Sequence, residues 1–149
     1  MITETYQYLA SDTILCDLLN HQPHLKSHKI FFGRPQNIYN NPKLVNDKGT
    51  FIDFPYLVYN VVPLVSNVVT SEYRVRLTLV VQDEFELKKI TKRLVELLDF
   101  TKREVYRPSN KIKDTIILQS QLLAGGNFLF HEEEKLFEQT QDFLVKVKG

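Results

Sequence analysis

The residues whose types could do chemistry begin with a group of three histidines. His21, His24 and His28 are close enough in the chain to suggest a metal site, but they lie in a polar stretch that contains Pro23 and neither cysteine nor carboxylate. Zinc sites take their ligands from a fixed frame, and neighbouring groups orient those ligands. We therefore interpret the three histidines as solvated loop residues, and we expect neither a metal site nor a cofactor.

Other candidates for catalysis are equally weak. His131 is followed by three glutamates, a run more typical of a solvated charged turn than of an acid/base pair. The single cysteine, Cys16, lies among leucines and in no electropositive setting, which favours a small apolar residue on a buried helix face over a catalytic thiol. The glycine pair Gly125-Gly126 is not followed by the Lys-Ser/Thr of a phosphate loop. We expect no catalytic residues and no enzymatic activity.

A basic stretch is the one local charge asymmetry. Between residues 102 and 113 the chain has five cations and one acidic residue, Glu104. The cations are Lys102, Arg103, Arg107, Lys111 and Lys113. Such a segment can contact phosphates or an acidic protein rim, and a solvated loop is its simpler use.

The elements that must position these residues belong to one domain of ordinary composition. The chain has 149 residues, of which 43% are hydrophobic and 25% charged, and its net charge is +1. This length suits a single domain over residues 1–149, and the small net charge disfavours a general nucleic-acid binder. The first residues lack the pattern of a leader peptide, and we expect none. The most apolar stretch, residues 55–69, contains polar residues and a proline and is too short for a membrane helix. We expect a soluble cytoplasmic protein with no membrane partner.

Periodicity predicts the helices. Two short ones open the chain, over residues 2–9 and after a cap at Ser11 or Asp12. A longer one covers residues 84–99 after a cap at Asp83, and its apolar stripe is expected to lie across a sheet. The stripe consists of Leu87, Ile90, Leu94, Leu97 and Leu98. The opposite side of the helix is charged and consists of Lys88, Lys89, Lys92, Arg93 and Glu96.

Strand patterns account for most of the remaining chain. They predict strands at residues 29–32, 55–62, 73–81, 115–123 and 136–148. Residues 63–70 are apolar but include Pro63, so they form either a wide hairpin connection or an edge strand. An isolated domain would expose the apolar strand sequence of residues 55–69 as an edge. These elements predict an α+β fold, with two or three helices packed on one face of a mainly antiparallel sheet of four or five strands.

A long irregular segment separates the first two strands. Residues 33–53 contain two prolines, two glycines and apolar residues too scattered for a helical or strand period. Loops of this length are uncommon inside compact domains and usually serve a function. We expect a partner surface here, with a surface excursion as the alternative. The candidate contact residues are Arg34, Lys43, Lys48 and Phe51.

The order of several motifs resembles one known family. The chain has, in this order, Leu9-Ala10-Ser11-Asp12-Thr13-Ile14-Leu15, Ile30-Phe31-Phe32-Gly33-Arg34-Pro35 and Phe54-Pro55-Tyr56-Leu57-Val58-Tyr59. The alternating strand 73–81 and the helix that begins at Asp83 then follow. In these features, over the first two thirds of its length, the chain resembles the tail-completion or tail-terminator proteins of long-tailed bacteriophages.

This resemblance implies a non-enzymatic protein of virion assembly. Members of the family are α+β subunits that form a hexameric ring, cap the growing tail tube and present a face to the head connector. The implied partners are further copies of the chain, the tail tube protein and the head-tail connector or stopper protein, and DNA passes through the ring without sequence-specific binding. The implied location is the tail or neck of the virion, after assembly in the host cytoplasm.

Three alternatives remain open from the sequence. A head-side stopper or adaptor protein shares the size, the fold class and the ring symmetry. A small cytoplasmic binding module would instead use residues 33–53 to hold a ligand or a peptide. An unrecognised enzyme is the third.

Overall fold

The computed structural model describes residues 2–22, 29–33, 55–67, 69–99, 111–112, 115–124, 128–132 and 135–148. Within these ranges the helices are α1 (Ile2–Ala10), α2 (Thr13–Leu19) and α3 (Glu84–Leu98). The strands are β1 (Ile30–Phe32), β2 (Tyr56–Ser66), β3 (Thr70–Val81), β4 (Lys111–Ile112), β5 (Thr115–Ala124), β6 (Phe128–His131) and β7 (Leu136–Lys148). The three helices lie where the sequence predicts them.

Side-chain caps set the helix ends. Asp12 begins α2, since its carboxylate accepts a hydrogen bond from the backbone N–H of Leu15 at 2.8 Å. Asn20 follows the last turn of α2 in the left-handed region, at φ 57°, a conformation that asparagine tolerates better than most residues. Asp83 begins α3 by accepting a hydrogen bond from the N–H of Phe85 at 2.9 Å. Of the two predicted caps for α2, the structure uses Asp12.

The strands form one seven-stranded sheet of order β1-β2-β3-β7-β5-β4, with β6 paired to β7. β1 runs parallel to β2, and the other described pairs are antiparallel. The prediction of a mainly antiparallel sheet is confirmed, but the predicted number of strands is too low. The strands that were missed are β4, with two residues, and β6, with four. Segments this short do not display a clear alternating pattern.

β5 and β6 lie end to end along one edge of β7. β5 pairs with residues 142–147 of β7, and β6 pairs with residues 136–139. β3 covers the other edge of β7 along residues 137–148. In the part of the chain that the structure describes, β6 is therefore an edge strand with nothing paired to its outer side.

The stretch around Pro63 belongs to β2. The strand continues through Pro63 to Ser66, with a register irregularity between Pro63 and Val65. β1 lies beside β2 only at residues 57–59. Pro63 thus lies where no described strand needs its missing N–H, as proline in a sheet requires. Of the two predicted alternatives, the edge strand is correct for residues 63–66.

One face of the sheet and the helices share the main hydrophobic cluster. The predicted stripe of α3 is entirely buried. It packs with Leu9, Leu15 and Leu19 from α1 and α2, and with Leu57, Val75, Leu77, Leu79, Phe143 and Val145 from the sheet. A smaller cluster of Tyr56, Val58, Val80 and Leu136 contains no helix residue. Because successive strand residues point to opposite faces, the two clusters occupy opposite faces of the sheet.

Arg93 departs from the predicted charged side of α3. It is buried, and its guanidinium hydrogen-bonds both carboxylate oxygens of Asp12, at 2.5 and 2.9 Å, and Glu96 at 3.0 Å. Although Arg93 belongs to the predicted charged side, it is not exposed to solvent, because α2 packs against α3 and covers this position. The buried charge is tolerated because two carboxylates compensate it.

Two hydroxyl groups hold the C-terminal end of α3. The Tyr8 hydroxyl donates to the carbonyl of Leu97 at 2.6 Å, and the Ser120 hydroxyl donates to the carbonyl of Leu98. The last carbonyls of a helix have no partner within it. These bonds therefore satisfy the end of α3 and tie it to α1 and β5.

Candidate interaction surfaces

Most of the contact candidates predicted from the sequence lie outside the described residues. These are Arg34, Lys43, Lys48, Phe51, Lys102, Arg103, Arg107 and Lys113. Lys111 is the first residue of β4, where its backbone is opposite Ile116 of β5. The surfaces that follow are built from other residues.

The prediction of a solvated side chain is wrong for His21. Its ring is buried, with Nδ1 accepting a hydrogen bond from the N–H of Lys29 at 2.9 Å and Nε2 lying 3.1 Å from the Tyr6 hydroxyl. The rings of Tyr6 and His21 meet edge to face, with centroids 5.9 Å apart. His21 thus joins α1 to the start of β1.

The ending of α2 explains this burial. Asn20 is left-handed, and the N–H of His21 donates to the carbonyl of Cys16 at 2.8 Å. This ending turns the chain back toward the helix, so the residue after it faces the interior. His24 and His28, the other histidines of the group, lie outside the described residues.

The remaining candidates for chemistry have ordinary structural contacts. The Cys16 thiol lies 3.2 Å from the carbonyl of Ala10, and burial, with the charges of Asp12 and Asp17, raises its pKa. His131 pairs with Glu138 on β7, at 2.8 Å between Nε2 and Oε2. Among the described residues, no group of three potential metal ligands lies together.

The first exposed apolar surface is the far end of the β2–β3 hairpin. We call Val62, Leu64, Val65 and Val69 the hairpin end; their exposure ranges from 43% to 70%. The turn is held by Asn67, whose side-chain oxygen accepts hydrogen bonds from the N–H groups of Val69 and Thr70, both at 2.8 Å. These two bonds fix Val69 and Thr70 relative to Asn67.

The second exposed apolar surface is β6. We call Phe128, Leu129 and Phe130 the aromatic edge; each is about half exposed, at 47% to 52%. Phe128 and Phe130 contact Phe137 of β7, with ring centroids 5.7 and 4.8 Å apart, and Leu129 is opposite Glu138. An exposed apolar edge strand offers backbone N–H and C=O groups to another chain, and β6, although only four residues long, has neither lysine nor proline.

The two surfaces carry different charges. Beside the hairpin end, Arg74 is opposite Val62 on β3, and Lys146 and Lys148 end β7, with Lys146 3.9 Å from Glu72. Beside the aromatic edge, Glu132 is exposed, and two further glutamates follow it in the sequence. The hairpin end therefore has a basic surrounding, whereas the sequence that follows the aromatic edge has three glutamates, Glu132–Glu134, and then Lys135.

The hairpin end and the aromatic edge lie at opposite edges and opposite ends of the sheet. The turn between β2 and β3 adjoins Thr70, which is opposite Lys148 at the end of β7. β6 pairs with the start of β7, and β3 and β7 separate it from β2. The two surfaces are thus diagonal across the molecule.

The sequence predicted only the first of these surfaces. The expected apolar edge within 55–69 is found at the hairpin end, whereas residues 56–59 are buried. The aromatic edge was not predicted. Its signal is the apolar triplet 128–130 between a glycine pair and an acidic run, a pattern that favours a short strand.

Comparison with known proteins gives a likeness of fold. The sequence matches no protein-family model and no curated protein. The structure is similar to a chain from the virion of a native gene transfer agent particle, with 10% sequence identity and a TM-score of 0.60. The match covers 97% of this chain and 91% of that chain. None of the described helices is long and apolar enough to cross a membrane.

Proposed function

We propose that this chain is a structural protein of a phage-like virion and acts there as the tail terminator, which caps the tail tube and joins it to the head connector. The observation that carries the proposal is the similarity to a gene transfer agent virion chain over 97% of this chain. The motifs in the first two thirds of the sequence, which resemble those of tail-completion proteins, support the more specific role.

The proposed assembly is a homohexameric ring in the neck of the virion. A cyclic ring repeats one heterologous contact, so each subunit needs two different and complementary patches. The hairpin end and the aromatic edge are two different apolar patches at opposite edges of one sheet. This arrangement supports a ring better than a two-fold dimer, which would need one self-complementary patch.

The proposed role is non-enzymatic, and DNA passes through the ring without sequence-specific binding. Sequence-independent affinity for DNA depends on an excess of lysine and arginine that neutralises phosphates. The net charge of +1 supports a ring that lets DNA pass. The proposed protein partners are the tail tube protein and the head-tail connector or stopper protein.

Two sequence segments are proposed as the contacts with those partners. The first is the set Arg34, Lys43, Lys48 and Phe51, and the second is the basic stretch that begins at Lys102. Replacing Lys102, Arg103 and Arg107 by glutamate tests the second set. Loss of head-tail joining would support a partner contact, and unchanged joining would indicate that the basic stretch is a solvated loop. The matched control reverses three exposed lysines of α3, namely Lys88, Lys89 and Lys92.

An amber mutation in the gene tests the function itself. A particle without its terminator should give full heads beside separate tails of abnormal length, because nothing stops growth of the tube. Electron microscopy of lysates measures tail length and joining, and added wild-type protein should restore both. Tails of normal length beside heads that leak DNA would favour the head-side stopper. Normal infectious particles would overturn the assembly role.

A further inference from the structure

We infer that the aromatic edge of one copy pairs with the hairpin end of the next copy, so that the sheet continues from subunit to subunit. This inference rests on the proposed ring and names the surfaces that build it. Seven of the twelve exposed large hydrophobic residues in the described chain belong to these two surfaces. A second copy of this chain is the occupant that the strand directions, side-chain faces and charges of the two surfaces favour.

The strand directions fit this pairing. β2, β3, β7 and β6 are neighbours in that order, and each pair is antiparallel. β6 therefore runs opposite to β2 within one copy. Rotation about a ring axis keeps the direction of a strand along that axis, so β6 of one copy runs antiparallel to β2 of the next. Antiparallel edges can exchange backbone hydrogen bonds over a short length. On the β2 side Pro63 has no N–H to donate, so the hydrogen bonds there use its neighbours and carbonyl oxygens.

The side chains on the two edges face the same way. Leu129 is opposite Glu138, and Val62 and Val65 are opposite Arg74 and Glu72. In β3 and β7 the residues of the main cluster have odd numbers, whereas Glu72, Arg74 and Glu138 have even numbers. Because successive strand residues point to opposite faces, these three partners lie on the face away from the main cluster. Leu129 of one copy can consequently contact Val62 or Val65 of the next across a continuous sheet.

The diagonal placement of the two surfaces sets the geometry of the ring. In a ring, the aromatic edge of one copy and the hairpin end of the next must lie at the same position along the ring axis. Because the two surfaces lie at opposite ends of the sheet, strands parallel to the axis would keep them apart. Closed sheets have tilted strands, typically by about 35–45°, with a fixed stagger between neighbours. The inference therefore requires strands that are tilted relative to the axis.

The charges also favour contact between unlike surfaces. Arg74 is opposite Val62 beside the hairpin end, and the aromatic edge continues into Glu132. With Leu129 opposite Val65, antiparallel pairing places Glu132 level with Val62 and therefore near Arg74. Contact between unlike surfaces brings opposite charges together. A two-fold contact of either surface with itself would bring like charges together, which is unfavourable.

Cysteine cross-linking tests the pairing in the full-length chain. The variants carry Leu129→Cys with either Val62→Cys or Val65→Cys, on a Cys16→Ala background, and a short bismaleimide is added to the purified protein and to assembled particles. We expect a ladder of covalent oligomers up to the hexamer. The matched control combines Leu129→Cys with Ile14→Cys on α2, because Ile14 is 51% exposed and Val65 is 52% exposed. The control should give no ladder.

Charge reversal provides a second test on exposed residues. Arg74→Glu and Glu132→Lys should each lower the cross-linking yield several-fold, and the two together should restore it. A dimer from Leu129→Cys alone, a ladder from the control, or no ladder from either double variant would overturn the pairing. If a ring is still seen in the neck of the particle, the proposed function survives that failure. If the particle has no such ring, the proposed function fails as well.

Discussion

The carboxylate of Asp12 and the guanidinium of Arg93 form a bidentate ion pair between residues that are 81 positions apart in the chain. Both side chains are only 10% exposed. Asp12 also caps α2 through the N–H of Leu15. One carboxylate therefore both caps the N-terminus of α2 and compensates a buried charge on α3.

The first prediction concerns removal of that carboxylate. Asp12→Ala should lower the free energy of unfolding by about 3–5 kcal/mol, because it leaves the buried Arg93 charge with poor compensation and removes a helix cap. Denaturant titration measures the loss. Glu84→Ala is the control, since Glu84 forms an exposed pair with Lys88 at 3.7 Å, and it should cost less than about 1 kcal/mol. Equal losses in the two variants would contradict the role of the pair.

The second prediction is the pH dependence of the same pair. Burial alone would raise the pKa of Asp12, but hydrogen bonds from Arg93 and the N–H of Leu15, with the charge of Arg93, lower it below 3.8. The stabilisation is thus complete above the unfolded-state pKa of about 4 and is lost as the pH falls through the lower folded-state pKa. The difference in unfolding free energy between wild type and Asp12→Asn should narrow only below about pH 4. Narrowing near neutral pH would be inconsistent with this assignment.

The sequence was sufficient for the elements with long patterns. The stripe of α3 and the alternation in β3 and β7 repeat over enough residues that the period is unambiguous. The sequence does not predict the burial of Arg93, because a helical pattern identifies only the sheet-facing side of α3. The second helix that covers Arg93 is a tertiary contact, and no local period records it.

The candidate surfaces were less predictable. β6 has four residues, and its identity as an edge depends on β5 leaving β7 at residue 124. The sequence does not predict the burial of His21, because that burial depends on the left-handed conformation of Asn20, which a polar sequence does not display. Both errors arise where a turn, rather than a periodic element, decides the direction of a side chain.

The third prediction concerns the protonation of His21. Nδ1 accepts the N–H of Lys29, so the proton of the neutral ring belongs on Nε2, which faces the Tyr6 hydroxyl. Long-range proton–nitrogen NMR should show this tautomer at neutral pH. His21→Ala should cost about 1–3 kcal/mol, because the buried N–H of Lys29 loses an acceptor. The half-exposed His131, changed to alanine, should cost about 0.5 kcal/mol or less. A solvent-like tautomer mixture for His21 would contradict the buried contact.

The fourth prediction concerns the packing of α3. Leu94 is 1% exposed within the main cluster, and Leu94→Ala should cost about 2–5 kcal/mol from lost burial and a residual cavity. Phe85 lies on the same helix and is 71% exposed, so Phe85→Ala should stay within about 0.5 kcal/mol of wild type. Denaturant titration compares the two. A loss for Leu94→Ala as small as that for Phe85→Ala would mean that the stripe does not contribute to the core.

The fifth prediction concerns the Tyr8 hydroxyl, which donates to the carbonyl of Leu97 at the end of α3. Tyr8→Phe should cost about 1–3 kcal/mol at neutral pH, because that buried carbonyl loses its donor. Burial, with a contribution from the charge of Asp12, raises the pKa of Tyr8 above its ordinary value of 10.0.

A raised pKa in the folded state means that Tyr8 stabilises the fold below pH 10 and loses this effect as the pH rises further, since the unfolded chain ionises first. The difference in unfolding free energy between wild type and Tyr8→Phe should therefore narrow above about pH 10. Tyr73→Phe is the matched control, because Tyr73 is half-buried on β3 and its hydroxyl has no hydrogen bond among the described residues. A cost for Tyr73→Phe equal to that for Tyr8→Phe would show that the loss comes from packing and not from the bond to Leu97.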